Sequence, residues 1–455
     1  MSPTRNPYIL GKPIRDPADF YGRAAELREL FESVANQQPV ALIGEHRCGN
    51  TSILYQMQNE EVQSRYLPGG TSGLLIVYTN AQLATEGPEA LFRRLARALR
   101  RQDSGVDVDL DETIDQFWIE DYLEELADRG RRLVLLLDEF DVLADFPSSF
   151  WEWFRGLITE YDLSIVVASR VELGSFRDEW GIGSPFFNMF RTIYVGSFTA
   201  AELEAFLTGT SEVAGVDLGP MRSTIEALGG RFPYYVQVAA AVAHDMAHSQ
   251  PLTGDAAQVE ALGSEFRQRV AVHFEDIWSR LPELEREALS WLAADSSAHD
   301  RAEVTFRQQA LPSLERRGYV FDGRIFSVAF RDFVQSQIPR IELNVETGAV
   351  RIERRPVELP PKEFALLKFL LDNEGEVVTK DEIALAVWPE YQHDTLGVTD
   401  AMIQKTISRL RKEVDIVGSD YQHIESVRGQ GYRFQNASLY ALAQHNGESQ
   451  VALEA

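Results

Sequence analysis

Four short apolar runs in the first half of the chain have the length of buried β-strands. They are Val40–Ile43, Leu74–Tyr78, Leu133–Leu137 and Leu163–Ala168. Between them, apolar residues recur at three- and four-residue spacing, for example over residues 88–101, which predicts amphipathic helices. Strands that alternate with helices are typical of an α/β fold built on a parallel sheet. We therefore predict such a sheet for this half of the chain.

The pattern changes after residue 265, where helices precede short strands. Helices are predicted near residues 266–280 and 282–294. An Asp322-Gly323 pair then separates two short apolar segments, and this dipeptide favours a tight hairpin turn. Two helices followed by a hairpin predict a small winged-helix domain.

Residues 341–436 show a second pattern of mixed α+β structure. Strand-like segments come first, helical segments follow, and Thr399 is placed to cap a helix that runs to about Val414. Gly429 and Gly431 then predict a tight hairpin near the end. The order of elements predicts a second winged-helix domain, so the expected fold is a parallel α/β sheet with a helical lid and two winged helices.

A glycine-containing turn follows the first predicted strand and leads into a helical segment. Strand, turn, hydroxyl pair and helix make the layout of a phosphate-binding loop, whose backbone N–H groups point at one anion. The hydroxyl of Thr51 or Ser52 would serve Mg²⁺. A strand-to-helix turn without a ligand is the alternative interpretation. The candidate loop consists of Gly44, Glu45, His46, Arg47, Cys48, Gly49, Asn50, Thr51 and Ser52.

Asn50 departs from the motif G-x-x-x-x-G-K-[ST], which has lysine at this position. The backbone cradle is compatible with asparagine, but the cation that reaches the β- and γ-phosphates is lost. Phosphoryl transfer depends on positioning and on charge neutralisation. We therefore expect little or no ATP hydrolysis, with weak or altered nucleotide binding. The sequence leaves open whether Asn50 is natural or a substitution that traps one state.

The third predicted strand ends in an acidic pair, Asp138 and Glu139. Five apolar residues followed by Asp-Glu make a Walker B pattern, and here it follows a candidate phosphate loop. In such sites the Asp orients hydrated Mg²⁺ and the Glu polarises the attacking water. We therefore predict a metal site at Thr51 and Asp138, with Glu139 as a catalytic residue.

Length, net charge, cysteine content and hydropathy limit the classes of protein to which this chain can belong. The 455 residues suggest two to four domains at about 150 residues each. The net charge of −26 argues against a protein that coats nucleic acid, so any DNA contact must come from a local basic surface. Cys48 is the only cysteine, which fits a reducing compartment. Because no apolar run approaches a membrane span, we expect a cytoplasmic protein without a membrane partner.

The segment before the phosphate loop reads G-x-P-I, then F-Y-G-R-x-x-E-L. This order resembles the entry segment of the STAND branch of AAA+-like P-loop NTPases. The resemblance implies that Ile14, Phe20, Tyr21 and Arg23 cover the adenine of ATP or ADP. It also implies that Arg170, at the tip of the fourth strand, senses the terminal phosphate. Pro233 would belong to a helical lid that touches base and ribose.

Three patterns near the C-terminus, ELPPKEF, ISRLRK and VRGQGYRF, occur in an order that resembles the OmpR/PhoB-type winged-helix DNA-binding domain. The resemblance implies a helix in the major groove of double-stranded DNA, a wing in the minor groove and a phosphate clamp. The expected DNA-binding residues are Thr379, Lys380, Gln404, Lys405, Ser408, Arg409, Arg411, Lys412, Arg428 and Tyr432. Ala401 and Met402 stand where many relatives carry Arg, so we expect weak binding by one copy.

These observations divide the chain as follows: an entry segment (1–36), an NTPase core (37–198), a helical lid (199–265), a winged-helix clamp (266–340), a DNA-binding domain (341–436) and a disordered tail (437–455). The expected function is a nucleotide-responsive DNA-binding transcription regulator that hydrolyses little or no ATP. An active ATPase or motor of a DNA-associated or defence system is one alternative, and a nucleotide-free signalling scaffold is another. A homo-oligomer is left open.

Overall fold

The computed structural model describes residues 7–8, 10–67, 70, 73–103, 105, 114–174, 185–293, 306–337, 341–344, 347–352, 355–373, 375–391, 397–414, 423–434 and 440–442. The chain divides into two compact units. The first comprises residues 1–286 and 301–331, and the second comprises residues 287–300 and 332–455. No helix in the described part of the chain combines the length and the hydropathy that a bilayer span requires.

A five-stranded parallel sheet forms the centre of the first unit, as the apolar runs predict. Its strands are β1 (Val40–Ile43), β2 (Leu74–Asn80), β3 (Arg132–Asp138), β4 (Leu163–Ser169) and β5 (Arg191–Tyr194). They lie in the order β2-β3-β4-β1-β5, and every neighbouring pair is parallel. The apolar pattern missed β5 because this edge strand buries only Ile193.

Among the described residues of the first unit, six helices belong to the sheet region. They are α1 (Ala24–Ala35), α2 (Asn50–Gln58), α3 (Glu60–Tyr66), α4 (Pro88–Gln102), α5 (Gln116–Asp128) and α6 (Ser148–Glu160). Short 3₁₀ turns occur at Pro17–Asp19, Ala81–Leu83, Phe140–Asp145, Pro185–Met189 and Gly219–Met221. Side chains of β2, β3, β4, α4, α5 and α6 bury one contiguous apolar core against the sheet. Because that core fixes β1, β3 and β4, it also fixes the loops at their carboxyl ends.

The expected helical lid consists of α7 (Ala200–Ala214), α8 (Arg222–Gly229), α9 (Pro233–Ala247) and α10 (Ala256–Arg280). Thr199 and Glu202 form a reciprocal capping box at the start of α7. The expected boundary between residues 265 and 266 falls inside α10, a single helix of 25 residues. The sequence contains no breaker there, since Gly263 is tolerated within a helix. Lid and clamp are therefore joined by a continuous helix.

The next elements are α11 (Glu283–Ala293), a π-helix (Phe306–Ala310), α12 (Leu311–Arg316), the hairpin strands β6 (Val320–Phe321) and β7 (Arg324–Ile325), and α13 (Val328–Gln337). The predicted turn is present, with positive φ angles at Asp322 and Gly323. Residues 266–340 do not form a compact unit of their own, because residues 301–331 group with the NTPase unit. The expected clamp is thus divided: residues 266–286 and 301–331 belong to the first unit, and residues 287–300 and 332–340 belong to the second.

The described residues of the second unit form two small sheets and three further helices. One sheet has the order β10 (Arg355–Val357), β9 (Ala349–Ile352), β8 (Ile341–Asn344) and β14 (Tyr440–Leu442). The other has the order β11 (Val377–Val378), β13 (Gly431–Phe434) and β12 (Ile424–Val427). The helices are α14 (Pro361–Asp372), α15 (Lys380–Val387) and α16 (Asp400–Val414), and a 3₁₀ turn covers Pro389–Tyr391.

Two sequence predictions for this unit can be compared directly with the structure. The N–H of Met402 donates to Thr399 Oγ1 at 3.4 Å, and α16 ends at Val414, so the predicted cap and length are confirmed. The expected disordered tail is wrong for Tyr440–Leu442, which pair in parallel with β8. These three residues belong to an apolar run, residues 439–443, inside a segment that is otherwise polar with small residues. The other residues of the predicted tail, except those three, lie outside the described residues.

Candidate functional site

The turn between β1 and α2 has the geometry of an anion-binding loop. A Cβ at Gly44 would lie 2.5 Å from Cys48 Sγ and 2.7 Å from Asn50 Oδ1, so this position admits only glycine. Gly49 has a φ angle of 110°, which L side chains rarely adopt, and it caps α2. Two glycines therefore let the loop fold tightly onto the N-terminus of α2, where free N–H groups favour an anion.

Asn50 ties the loop to itself rather than extending into open space. Its Nδ2 donates to the carbonyl of Gly44 at 2.8 Å, and the Cys48 thiol donates to Asn50 Oδ1 at 3.2 Å. The thiol is buried, and burial raises the pKa of Cys48 to about 12. The loop is thus closed by neutral groups at the position where the motif has a lysine ammonium.

Asp138, at the carboxyl end of β3, meets the first turn of α2. Thr51 Oγ1 donates to Asp138 Oδ2 at 2.8 Å, and the hydroxyl of Tyr78 donates to the same oxygen at 2.9 Å. The Asp138 side chain is 2% exposed, and burial raises its pKa despite these donors. Ser52 is used elsewhere, because its Oγ accepts the N–H of Ile14 at 2.9 Å. The structure therefore favours Thr51 over Ser52 as the hydroxyl that faces the acidic residue.

Glu139 and Arg170 lie beside this carboxylate on neighbouring strand ends. Glu139 has a φ angle of 53°, and burial, with Asp138 and Asp141 nearby, raises its pKa. Arg170 follows β4, and its Nη2 lies 2.6 Å from Asp141 Oδ2. Its Nη1 lies 2.9 Å from His46 Nε2 in the loop. Arg170 therefore joins the strand beside β3 to the phosphate loop, which is the place expected for a sensor.

The entry segment packs against the loop and α2, and its covering of an adenine stays a prediction. Gln56 Nε2 donates to the carbonyl of Ile14 at 3.1 Å. Arg23 is buried, and its Nη2 donates to the carbonyls of Cys48 at 3.1 Å and Gly196 at 2.6 Å. Arg23 thus holds the backbone of the loop instead of presenting a free cation. Tyr21 packs edge-on against Phe206 of α7.

One cavity of about 690 Å³ connects these groups. It includes Pro233 at the start of α9, and the guanidinium of Arg47 lies 4.2 Å from the ring centroid of Tyr234. This volume is in the range of small-molecule and cofactor sites. The sequence-predicted residues that line it are Ile14, Phe20, Tyr21, Arg23, Gly44, Glu45, His46, Arg47, Cys48, Gly49, Asn50, Thr51, Ser52, Asp138, Glu139, Arg170 and Pro233.

Glu45, the second residue of the loop, is paired with an arginine that is distant in sequence. Arg317 Nε lies 2.5 Å from Glu45 Oε1, and its Nη1 lies 2.6 Å from Glu285 Oε2. The side chains of the two glutamates are 11% and 9% exposed. One guanidinium after α12 therefore neutralises two largely buried carboxylates, one of which belongs to the phosphate loop.

In the second unit, α16 presents most of its predicted DNA-binding side chains to solvent. Ile403, Ile407 and Leu410 are buried on the opposite face. Arg409 is 60% exposed and lies 3.5 Å from Glu363, while Lys380 pairs with Asp400. The exposed candidates on α16 and the wing are Gln404, Lys405, Ser408, Arg409, Lys412 and Arg428.

Three candidates of this unit have structural contacts that the sequence did not predict. Arg411 Nη2 donates to the carbonyl of Ile424 and to the hydroxyl of Ser426, both at 2.8 Å, so its guanidinium joins α16 to β12. Tyr432 is 7% exposed and belongs to the apolar core. Thr379 Oγ1 caps α15 in a capping box with Glu382. The free surface for DNA is therefore smaller than expected.

Sequence reasoning missed several residues of the first unit that act on the site. Tyr78 and Asp141 sit next to recognised elements, and a polar residue at a strand end or after the acidic pair is the signal that could have indicated them. Arg317 offered no such signal, because it is 272 residues from its partner Glu45. Within the described residues no group of three or more His, Cys, Asp and Glu side chains could hold a metal ion alone.

A family model described as Novel STAND NTPase 2 matches residues 36–294, which is more than half of the chain. The chain belongs to this STAND NTPase family. A second model, described as Transcriptional regulatory protein, C terminal, matches residues 354–434 of this STAND NTPase. Both resemblances inferred from the sequence are therefore confirmed. The chain joins an NTPase domain to a winged-helix domain of the OmpR/PhoB type.

Individual relatives cover parts of this STAND NTPase. The sensory transduction protein RegX3 of Mycolicibacterium smegmatis is 31% identical over 96 residues, which are 21% of this chain and 40% of the relative. The transcriptional regulator HilA of Salmonella typhimurium is 36% identical over 94 residues, 20% of this chain and 15% of the relative. The chain thus spans less than half the length of these relatives. A Walker-type ATPase of Pyrococcus abyssi shares the fold, with 16% identity, a TM-score of 0.53, and coverage of 71% of this chain and 99% of that chain.

Proposed function

We propose that this STAND NTPase is a nucleotide-responsive DNA-binding transcription regulator that holds ATP or ADP with Mg²⁺ and hydrolyses it slowly or not at all. The observation that carries the proposal is the single cavity that joins the entry segment, the phosphate loop, Asp138, Glu139 and Arg170. The residues that line the cavity fit the parts of a Mg²⁺-nucleotide complex. An aromatic and apolar region fits the base, an anion cradle fits the phosphates, and an acidic end fits the metal ion.

The phosphate loop supplies the anion cradle. Gly49 and the first turn of α2 provide backbone N–H groups, and no side chain caps this end of the helix. Arg23 fixes the carbonyl of Cys48, so the loop keeps its shape before a ligand arrives. Preorganisation of this kind lowers the ordering cost of binding. Backbone donors therefore support nucleotide binding even without the loop lysine.

Thr51 and Asp138 fit a Mg²⁺ ion that accompanies the nucleotide. Mg²⁺ prefers oxygen ligands and is commonly held by one or two carboxylates together with substrate phosphates. Here one hydroxyl and one carboxylate converge within 2.8 Å of each other, beside the loop. When bound, Mg²⁺ would neutralise phosphate charge. The two side chains would position it, with Asp138 acting directly or through bound water.

The same geometry supports slow hydrolysis. Asn50 places an amide where a cation is needed, and its Nδ2 is already bonded to Gly44. Arg23, Arg47 and Arg170, which line the cavity, are engaged by backbone carbonyls, by Tyr234 and by Asp141. Because transition-state charge must be neutralised at the terminal phosphate, a site with these arrangements favours binding over turnover.

The winged helix supplies the DNA contact. The exposed amide, hydroxyl and cationic side chains of α16 can read base edges and hold phosphates, as in other helices that enter the major groove. Within this helix Gln404, Lys405 and Ser408 are exposed on one side. With few free cations for one copy, useful affinity would need several copies on adjacent sites. Nucleotide state would then set how many copies assemble, and a homo-oligomer is part of the proposal.

The first experiment identifies any nucleotide released when the purified full chain is denatured, then titrates ATP and ADP with Mg²⁺ by calorimetry. We expect bound ADP or ATP, or micromolar binding. DNA binding is measured on duplexes that carry one or several copies of a selected site, with and without nucleotide. A chain that binds neither nucleotide, and whose Asn50→Lys variant also binds none, contradicts the nucleotide part of the proposal.

An active ATPase is the second candidate, because the acidic end of the site is intact. Asp138, Glu139 and Arg170 all line the cavity, which supports this candidate. This candidate predicts steady-state ATP turnover by the unmodified chain that Glu139→Gln abolishes. Binding without such turnover supports the regulator instead.

A further inference from the structure

Tyr78 is a partly buried neighbour of Asp138, the proposed metal ligand, and no motif identifies it. It lies two residues before the end of β2, and β2 pairs with β3 so that Asn80 is opposite Asp138. From this register the Tyr78 side chain reaches along the sheet edge, and its hydroxyl donates to Asp138 Oδ2 at 2.9 Å. The strand β2 thus places a side-chain donor on the Asp138 carboxylate.

The donors on Asp138 are divided between its two oxygens. Oδ1 accepts the N–H of Glu139 at 3.0 Å, whereas Oδ2 accepts both Thr51 and Tyr78. If the Thr51 hydroxyl turns to a metal ion, Tyr78 is the side-chain donor that still holds Oδ2. The orientation of the carboxylate would then depend on this hydroxyl at Oδ2 and on the N–H of Glu139 at Oδ1.

Tyr78 is itself held in place by the entry segment through Tyr55. The ring centroids of Tyr55 and Tyr78 are 4.7 Å apart, and Arg15 Nη2 donates to the Tyr55 hydroxyl at 3.0 Å. The Arg15 guanidinium also lies 4.5 Å from the Tyr55 ring centroid.

We propose that Tyr78 is a positioning residue for the metal ion: it fixes the carboxylate of Asp138 and thereby sets the affinity for Mg²⁺ in the nucleotide complex. The inference rests on the proposed nucleotide site. Partners of metal-ligating groups typically contribute about 10–100-fold to metal affinity. Tyr78 should therefore affect the Mg²⁺-dependent part of nucleotide binding and leave the Mg²⁺-independent part nearly unchanged.

The test compares the full chain with Tyr78→Phe, which removes the hydroxyl and keeps the ring. Binding of ATP and ADP is measured by calorimetry in EDTA and over a Mg²⁺ titration. We expect similar affinities in EDTA, within about twofold, and a roughly tenfold higher Mg²⁺ concentration at half-effect for Tyr78→Phe. Tyr122→Phe is the matched control, because it removes a tyrosine hydroxyl that donates to a carboxylate, Asp103 Oδ2, at 3.0 Å, and neither residue lines the cavity. Its Mg²⁺ midpoint should stay near that of the parent.

The same series is run in the Asn50→Lys background, and thermal unfolding verifies that each variant is folded. An unchanged Mg²⁺ midpoint for folded Tyr78→Phe overturns the inference while parental binding still supports the proposed function. Equal losses in EDTA and in Mg²⁺ also overturn it, since they indicate a general structural role. If no nucleotide binds in either background, the proposed function and this inference fall together.

Discussion

Arg317 and Glu45 form an ion pair between a segment after α12 and the phosphate loop, with 2.5 Å between Nε and Oε1. Arg317 also holds Glu285, so its removal leaves two largely buried carboxylates without a counterion. Breaking a buried pair from one side is costly because the other charge remains. We expect Arg317→Gln to lower the free energy of unfolding of the first unit by about 3 kcal/mol, measured by urea denaturation.

Arg316→Gln is the matched control for this prediction. Arg316 is the preceding residue, its side chain is 52% exposed, and it lies 3.5 Å from the exposed Glu172. Exposed pairs contribute little, so Arg316→Gln should change the unfolding free energy by less than about 1 kcal/mol. Adding Glu45→Gln to Arg317→Gln should restore part of the loss. Equal effects of the two arginine changes would contradict the importance of the Glu45 contact.

Asn50→Lys should restore a cation to the loop. In the present structure Asn50 is held by Gly44 and Cys48, and a lysine would replace that closed arrangement with an ammonium directed at the phosphates. Single electrostatic contacts to a developing charge contribute about 100-fold or more in rate. We expect ATP turnover to rise about 100-fold over the unmodified chain, measured by phosphate release.

Two variants make this gain interpretable. Asn50→Gln adds length without charge and should give no increase. Adding Glu139→Gln to Asn50→Lys should remove the gained turnover, because the water-polarising carboxylate is lost. A gain that survives Glu139→Gln would show that phosphate release comes from another site or from a contaminant.

Glu139 should reduce stability at neutral pH. Burial, Asp138 and Asp141 raise its pKa in the folded chain. A carboxyl with a raised folded pKa contributes stability below its unfolded pKa, and this contribution is lost as the pH rises through the folded pKa. At pH 7.5 the ionised group therefore opposes folding, so Glu139→Gln should raise the Tm by roughly 1–3 °C.

The pH dependence distinguishes this charge effect from a packing effect. As the pH falls towards 4.5, Glu139 becomes protonated in the folded parent and resembles glutamine. The Tm difference between parent and Glu139→Gln should therefore shrink as the pH is lowered from 7.5. The Tm of both proteins is measured by thermal unfolding at several pH values. A Tm difference that stays constant over this range would contradict the electrostatic cause.

Alanine substitutions of Lys405 and Arg411, both on α16, should affect different properties, namely DNA affinity and stability. Lys405 is exposed, so Lys405→Ala should weaken DNA binding and reduce the slope of log affinity against log salt by about 1, with an unchanged Tm. Arg411 bonds to Ile424 and Ser426, so Arg411→Ala should destabilise the second unit by about 1–3 kcal/mol. Fluorescence anisotropy across a salt series and thermal unfolding separate the two. A pure loss of DNA affinity in Arg411→Ala would show that its guanidinium serves DNA.

The sequence pattern was sufficient to predict those elements whose structure is determined by residues close together in the chain. Buried strands of continuous apolar residues identified β1 to β4, and the acidic pair after β3 identified the end of the sheet where the site lies. Thr399 predicted the start of α16 because a cap acts within one turn. These features depend on neighbours within a few residues, so they can be read without knowing the fold.

Other features depend on which distant segments meet. Nothing in the sequence distinguishes Thr51 from Ser52, because the choice is made by the docking of Ile14 on one side and Asp138 on the other. The partner of Glu45 could not be found for the same reason. Arg411 is a residue type that often contacts DNA, yet its guanidinium donates to the carbonyl of Ile424 on β12. Side chains with several donors are assigned by tertiary context.

The buried thiol of Cys48 makes the loop open to kinetic observation. It is the only cysteine in the chain, and its raised pKa keeps it protonated, whereas thiol reagents attack the thiolate. Alkylation should therefore proceed only during moments when the loop separates from α2 and admits solvent. The labelling rate of the unmodified chain then reports the opening frequency of the phosphate loop, with no engineered probe and no background from any other residue.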